Sequence, residues 1–257
     1  MDVRPALAIA RFQLLEAGRT RQAWLVAALA LTGALLAEFA AGLALTGSAR
    51  YRLEIYAAFT RLALVAWVML SVAASVARET QARGLDMTLS RPVSRGAWWQ
   101  GRLLGHAAVV SLAAAVASLP LVPQAAPASV LAWGLSLALE LMLVAAATLC
   151  CALAFAQTAA AVLAVGAFYL LARSIDAMVL MSTGPAVDPS APGSVVVAKG
   201  VALLALLLPA LARFTPTAWL LDDGAALSAL PTVMLQTLVY LALLAAVGWF
   251  DLVRREL

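Results

Sequence analysis

A chain of 257 residues that is 65% hydrophobic and 12% charged, with a mean hydropathy of +0.98, falls outside the range of soluble domains, which carry about 25% charged residues. It reads as an integral membrane protein. A formal charge of +4 does not point to nucleic acid, because the basic residues are spread among short loops rather than gathered on one face.

Residues 5–20 suit a helix that starts at Pro5. Leu7, Ala8, Phe12, Leu14 and Leu15 share roughly half its circumference, with Gln13, Glu16 and Thr20 opposite. Arg11 intrudes on the apolar half, where its stem can lie along lipid while its head reaches water. Residues 1–22 therefore read as an interfacial helix. They carry Arg4, Arg11, Glu16, Arg19 and Arg21, and the apolar run behind them is too long for a signal-peptide core, so no cleavable signal is expected.

Trp24 to Leu45 is the first expected span, since about 20 apolar residues cross the hydrocarbon. Gly47 to Tyr56 reads as a polar turn carrying Arg50, Arg52 and Glu54, and Ala57 to Ala77 as the second span, with Arg61 near its outer end. Residues 78–102 form the longest charged, turn-bearing segment, with Arg78, Arg83, Arg91, Arg95 and Arg102 among the 17 basic residues of the chain. Leu103 to Val122 is the third span, closed by Pro120, Pro123 and Pro127. Ser129 to Ala154 and Ala159 to Met178 are the fourth and fifth, separated by a short break at Phe155 to Thr158. A Pro/Gly-rich loop follows from Ser182 to Ser194. Val195 to Ala212 is apolar but holds Lys199, Gly200 and Pro209, and Leu230 to Phe250 is the last clear span.

Charge asymmetry sets the expected orientation. With six spans, both termini and the 78–102 loop share a side that carries most of the arginines; a seventh crossing would export Arg254 and Arg255 and weaken the positive-inside bias. Both termini are expected in the cytoplasm. Residues 182–228 then become a loop and helix at the outer face.

The 78–102 segment resembles the loop between spans two and three of ABC-2-type transporter permeases. Glu79, Leu85, Met87, Leu89, Ser90, Pro92, Val93, Ser94, Arg95, Gly101 and Arg102 follow that family's pattern: an acidic residue, a leucine-rich turn, Pro-Val-Ser-Arg, then Gly-Lys opening the third span. Two positions depart from it: Arg83-Gly84 stands where the family has Gly-Thr, and Arg102 replaces the closing lysine. Leu208-Pro209 and Thr215-Pro216-Thr217 also resemble the branch that includes the permease serving nitrous-oxide-reductase maturation. The resemblance implies an all-α polytopic fold: six transmembrane helices, an N-terminal interfacial helix, a cytoplasmic coupling helix between spans two and three, and an outer-face helical segment between spans five and six. It implies a single transmembrane domain over 1–257 in a bacterial inner membrane, paired with a second permease half, most simply as a homodimer. Two copies of a separate ATPase subunit would dock on Glu79, Leu85, Met87, Leu89, Arg91, Pro92, Ser94 and Arg95.

The physical chemistry of the loop suits that role. Leu85 to Ser90 can form a short rigid helix, with Pro92 fixing a corner where it ends. Trp98 and Trp99 read as interfacial anchors, and Arg91 and Arg95 suit carboxylates on a partner. ATP binding within this chain is excluded, because a P-loop needs Gly-Lys-Ser/Thr and the only lysine, Lys199, is followed by Gly200-Val201. The ATPase would be another polypeptide.

Glu38 and Glu140 lie inside spans, where a carboxylate is costly and often functional. They are expected either to line a translocation path or to form buried pairs with Arg61 or Arg173. Arg173 and Asp176, three apart on one helix face, read as a structural pair. Cys150, Cys151, His106, Met178 and Met181 read as core and filler residues rather than a soft-metal path. No catalytic set, cofactor or metal site is expected. The alternative to a permease is a membrane scaffold or sensor whose arginine loop docks a cytoplasmic protein.

Overall fold

The computed structural model describes residues 3–44, 46–81, 95–155, 157–184, 192–221 and 225–254. Among these there is no strand. The helices are α1 (Val3–Arg19), α2 (Gln22–Leu43), α3 (Ser48–Gln81), α4 (Arg95–Ser118), α5 (Pro127–Ala154), α6 (Thr158–Ser182), α7 (Pro192–Leu207), the four-residue α8 (Ala218–Leu221) and α9 (Ala225–Arg254), with 3-10 turns at Leu119–Leu121 and Leu211–Arg213.

Six of these helices (α2, α3, α4, α5, α6 and α9) are long and apolar enough to cross a membrane. At about 1.5 Å per residue the 22-residue α2 is about 33 Å long, the thickness of a hydrocarbon core. The outward faces are as apolar as the inward ones: Trp24 is 78% exposed, Met181 76% and Leu163 73%. Apolar surface on that scale belongs in lipid. The chain is a multi-pass, all-α membrane protein.

Helix α5 is the centre of the bundle and touches α3, α4, α6 and α9. Its buried side chains include Trp133, Leu137, Leu141 and Leu149, and small residues such as Ala145 and Ala146 let its neighbours approach closely. Helix α2 packs on α3, and α1 packs on α4.

Three expectations about local structure are corrected. Ser48 to Tyr56 is not a turn: it is the first part of the 34-residue α3. Its charges suit a helix, since Arg50 Nε lies 2.7 Å from Glu54 Oε1 one turn on, and Arg52 reaches back to α2. Gln13, on the polar side of α1, does not face water either. Ala6, Ala10 and Gln13 are buried against α4, while Leu7, Phe12 and Leu15 face outward. Gly101 and Gly105, four apart, give α1 its seat: a Cβ on Gly101 would lie 2.8 Å from the Ala6 carbonyl, and one on Gly105 would overlap the Gln13 carboxamide. Finally, Trp98 and Trp99 are 3% and 2% exposed, so they are packed inside the protein rather than set at an interface.

Helix α7 and the Leu211–Leu221 segment meet at a bend of 62°, forming a broken span or a re-entrant loop. Pro209 lies in the break and can donate no amide hydrogen. Something else must therefore satisfy the backbone of residues 208–217.

Candidate functional site

Two polar clusters interrupt the apolar interior. The first lies where α3 ends and α4 begins. Helical spacing puts Ser75, Arg78 and Glu79 on one face of α3, Trp98 and Arg102 on one face of α4, and Gln13 and Glu16 on one face of α1. Arg102 joins them. Its Nη2 lies 2.6 Å from Glu79 Oε2, its Nη1 donates to Ser75 Oγ at 3.2 Å, and its guanidinium carbon sits 5.6 Å from the centre of the Trp98 ring. The Arg102 side chain is 2% exposed and that of Glu79 36%. Beside them, Arg78 Nη2 lies 3.4 Å from Glu16 Oε1, and the side-chain nitrogens Gln13 Nε2 and His106 Nε2 are 3.2 Å apart.

The other side of α4 is held by α9. A Cβ on Gly248 would overlap the Trp99 indole, and a Cβ on Gly96 would overlap the Trp249 indole. Each tryptophan thus fills the space the opposite glycine leaves. The first two turns of α4 are packed against α1, α3 and α9 together. Among the described residues this cluster ties α1, α3 and α4 together through the Glu79–Arg102 and Glu16–Arg78 pairs.

Glu79, expected to serve ATPase coupling, is paired with Arg102, its side chain 36% exposed. Leu85, Met87, Leu89, Arg91, Pro92 and Ser94 lie outside the described residues, as does the side chain of Arg95, whose backbone opens α4.

The second cluster surrounds Glu140, which lies half-way along α5 and is fully buried. Tyr169 and Arg173, four apart on α6, both reach Glu140 Oε1: the phenol donates at 2.9 Å and Arg173 Nη1 at 3.3 Å. Thr215 Oγ1 donates to Oε2 at 2.9 Å. Arg173 Nη1 also donates to the carbonyls of Leu211 at 2.6 Å and Phe214 at 3.0 Å. These bonds supply what the broken helix lost, and Glu140 neutralises the guanidinium that supplies them. Non-helical backbone survives at membrane depth only when it is satisfied in this way.

Thr215 is the hinge of the arrangement. Its φ is +49°, a left-handed conformation unusual for a β-branched residue. Such strain costs about 1–3 kcal/mol and persists where the surroundings over-determine it. Here its amide donates to Ser136 Oγ at 3.0 Å, its hydroxyl to Glu140, and its carbonyl accepts from Arg61 Nη1 at 3.4 Å.

Of the two expected partners of Glu140, Arg173 pairs with it, while Arg61 contacts Thr215. The expected Arg173–Asp176 pair gives way to two others: Arg173 turns inward to Glu140, and Asp176 Oδ2 lies 3.8 Å from Arg213 Nε. Glu38 pairs with neither Arg61 nor Arg173. It meets Arg52 at 2.8 Å on an exposed face, with its side chain 65% exposed. Sequence reasoning missed Tyr169, Ser136, Thr215 and Gln13. A signal existed for the first two: Ser136 with Glu140, and Tyr169 with Arg173, are polar pairs one turn apart inside apolar spans.

Cys150 Sγ donates to the Leu244 carbonyl at 3.4 Å, linking α5 to α9. Among the described residues, no three His, Cys, Asp or Glu side chains are grouped to hold a metal ion. Neither the protein-family models nor the curated proteins include a match to this chain.

Proposed function

We propose that this chain is the membrane subunit of an ATP-driven transporter of the ABC-2 type. In this reading residues 85–90 form a coupling helix that rests in a separate ATPase. Hydrolysis there rocks the spans of two permease halves, most simply two copies of this chain, across a bacterial inner membrane with both termini in the cytoplasm. The observation that carries the reading is the Glu79–Arg102 pair. It ties the helix leaving the loop to the helix returning from it, so a push on residues 82–94 is delivered to α3 and α4 jointly instead of being absorbed by one bending stem. The Trp99 and Trp249 contacts extend that unit to α9.

In this reading the Glu140 cluster holds the bent 208–217 backbone against α5 and α6, and Glu38 and Arg52 form a surface pair that fixes α2 to α3. The substrate-binding groups belong to the interface with the second half.

The test is purification of the tagged chain in mild detergent. The account expects an ATPase with a Walker motif to come down with it, and expects Pro92→Ala with Arg95→Glu to release that subunit. If no nucleotide-binding subunit copurifies and the double variant retains full activity, the chain is a scaffold or sensor instead.

A further inference from the structure

We propose that the outward face of α1 is a docking surface for anionic phospholipid headgroups of the phosphatidylglycerol type. This goes beyond the transport reading and does not depend on it.

The face mixes two kinds of side chain. At about 100° per residue, Arg4, Arg11, Leu15 and Arg19 fall within about a quarter of the circumference of α1. They lie opposite Ala6, Ala10 and Gln13, which are buried against α4. All four are exposed, and Leu7 and Phe12, 57% and 65% exposed, flank them on either side. Three guanidiniums do not belong in hydrocarbon, and apolar side chains exposed to this extent do not belong in water. The headgroup layer takes both, with arginine stems along the acyl boundary and their forks among the phosphates.

The start of α2 sets the depth. Trp24 is 78% exposed near the first residue of a 22-residue span that matches the hydrocarbon thickness. Arg21 and Arg19 come just before it in the chain, so they sit at the edge of the hydrocarbon, where lipid phosphates lie. That position favours a membrane surface over an acidic protein as the occupant.

Charge decides which lipid. Arg4, Arg11, Arg19 and Arg21 are all exposed, and none takes part in an ion pair among the described residues. The charges behind α1 cancel in pairs, Glu16 with Arg78 and Glu79 with Arg102. The phosphate of phosphatidylcholine carries its own ammonium. That of phosphatidylglycerol does not, and basic segments at a membrane surface are drawn to such net negative charge.

Native mass spectrometry of the full chain, delipidated and titrated with phosphatidylglycerol and phosphatidylcholine of matched acyl chains, tests the surface. The native chain should retain phosphatidylglycerol at least about tenfold better, and the preference should shrink as salt rises. Changing Arg4, Arg11, Arg19 and Arg21 together to Gln preserves helix propensity. It should bring the two lipids to within about twofold of each other, with the helical signal unchanged. The same four changes to Lys keep the charge and should keep the preference. Equal retention of the two lipids by the native chain would overturn the proposal and leave an acidic protein as the occupant; an undiminished preference in the glutamine variant would overturn it as well.

Discussion

Trp99 occupies the space that any side chain at Gly248 would need, and Trp249, the next residue on α9, does the same over Gly96. Two helices far apart in sequence are thereby interlocked at the end of the bundle where the 82–94 segment joins. The interlock has a distinctive mutational signature. Trp99→Ala should cost about 3–5 kcal/mol, and Gly248→Leu about 1–3 kcal/mol or more from overpacking. Together they should be less damaging than the sum, because the leucine enters the void. Thermal unfolding in detergent of the four chains measures the coupling directly.

Arg102 is the more demanding partner in the ion pair at the base of the loop, since it is buried and Glu79 is half-exposed. Glu79→Met leaves a buried guanidinium without its carboxylate and should cost about 2–4 kcal/mol. Arg102→Met strands a carboxylate that still reaches water, and should cost less. The double variant Glu79→Met/Arg102→Met should recover much of the stability of Glu79→Met, as apolar replacements of buried pairs do. Under the proposed function it should not recover transport coupling, which separates stiffness at this point from stability in general.

Glu140 is expected to behave differently from Glu38, although both are acids in apolar spans. Glu140→Leu removes an acceptor from Tyr169 and Thr215 and the counter-charge from Arg173, and should cost about 3–5 kcal/mol. Glu140→Gln keeps one acceptor for Tyr169 and Arg173 while turning an NH₂ toward the Thr215 hydroxyl, and should cost less than the leucine variant. Glu38→Ala breaks only an exposed pair and should fall within about 1 kcal/mol of the native chain. Denaturation midpoints of the three variants check the order.

Thr215 offers a test of stored strain. Thr215→Val keeps the branched shape and the positive φ but removes the hydroxyl bonded to Glu140, so it should cost about 1–3 kcal/mol. Thr215→Asn tolerates the left-handed backbone and keeps a polar group, so it should be the milder change. Limited proteolysis of the 208–217 bend and thermal unfolding should rank the two alike; a more stable valine variant would remove the argument for strain.

The spans were legible because about twenty consecutive apolar residues have no other stable use in a chain of this composition. Where the reading failed, it failed for want of neighbours. Arg50, Arg52 and Glu54 suggested a turn, yet their spacing served a helix that continues as α3 and pairs with α2. Arg173 and Asp176 share a helix face, but a shared face says which residues are able to pair; the 211–215 backbone, folded across from another part of the chain, decided that Arg173 would turn to Glu140. Trp98 and Trp99 resembled headgroup anchors because aromatic pairs at span ends often are, and only Gly248 of α9 and the guanidinium of Arg102 explain their burial. Gln13 looked like the wet side of an amphipathic helix. Its true surroundings are Gly105 and His106 on α4, which no periodicity within α1 could reveal.

Cross-linking from the loop itself tests the central claim most directly. With Cys150 and Cys151 replaced by alanine, a photoactivatable or thiol cross-linker on Met87→Cys should capture a Walker-motif ATPase in inside-out vesicles, and a membrane-impermeant thiol reagent should label that position only from the cytoplasmic side. Labelling of Met87→Cys from the outer side, with no ATPase captured, would contradict the account.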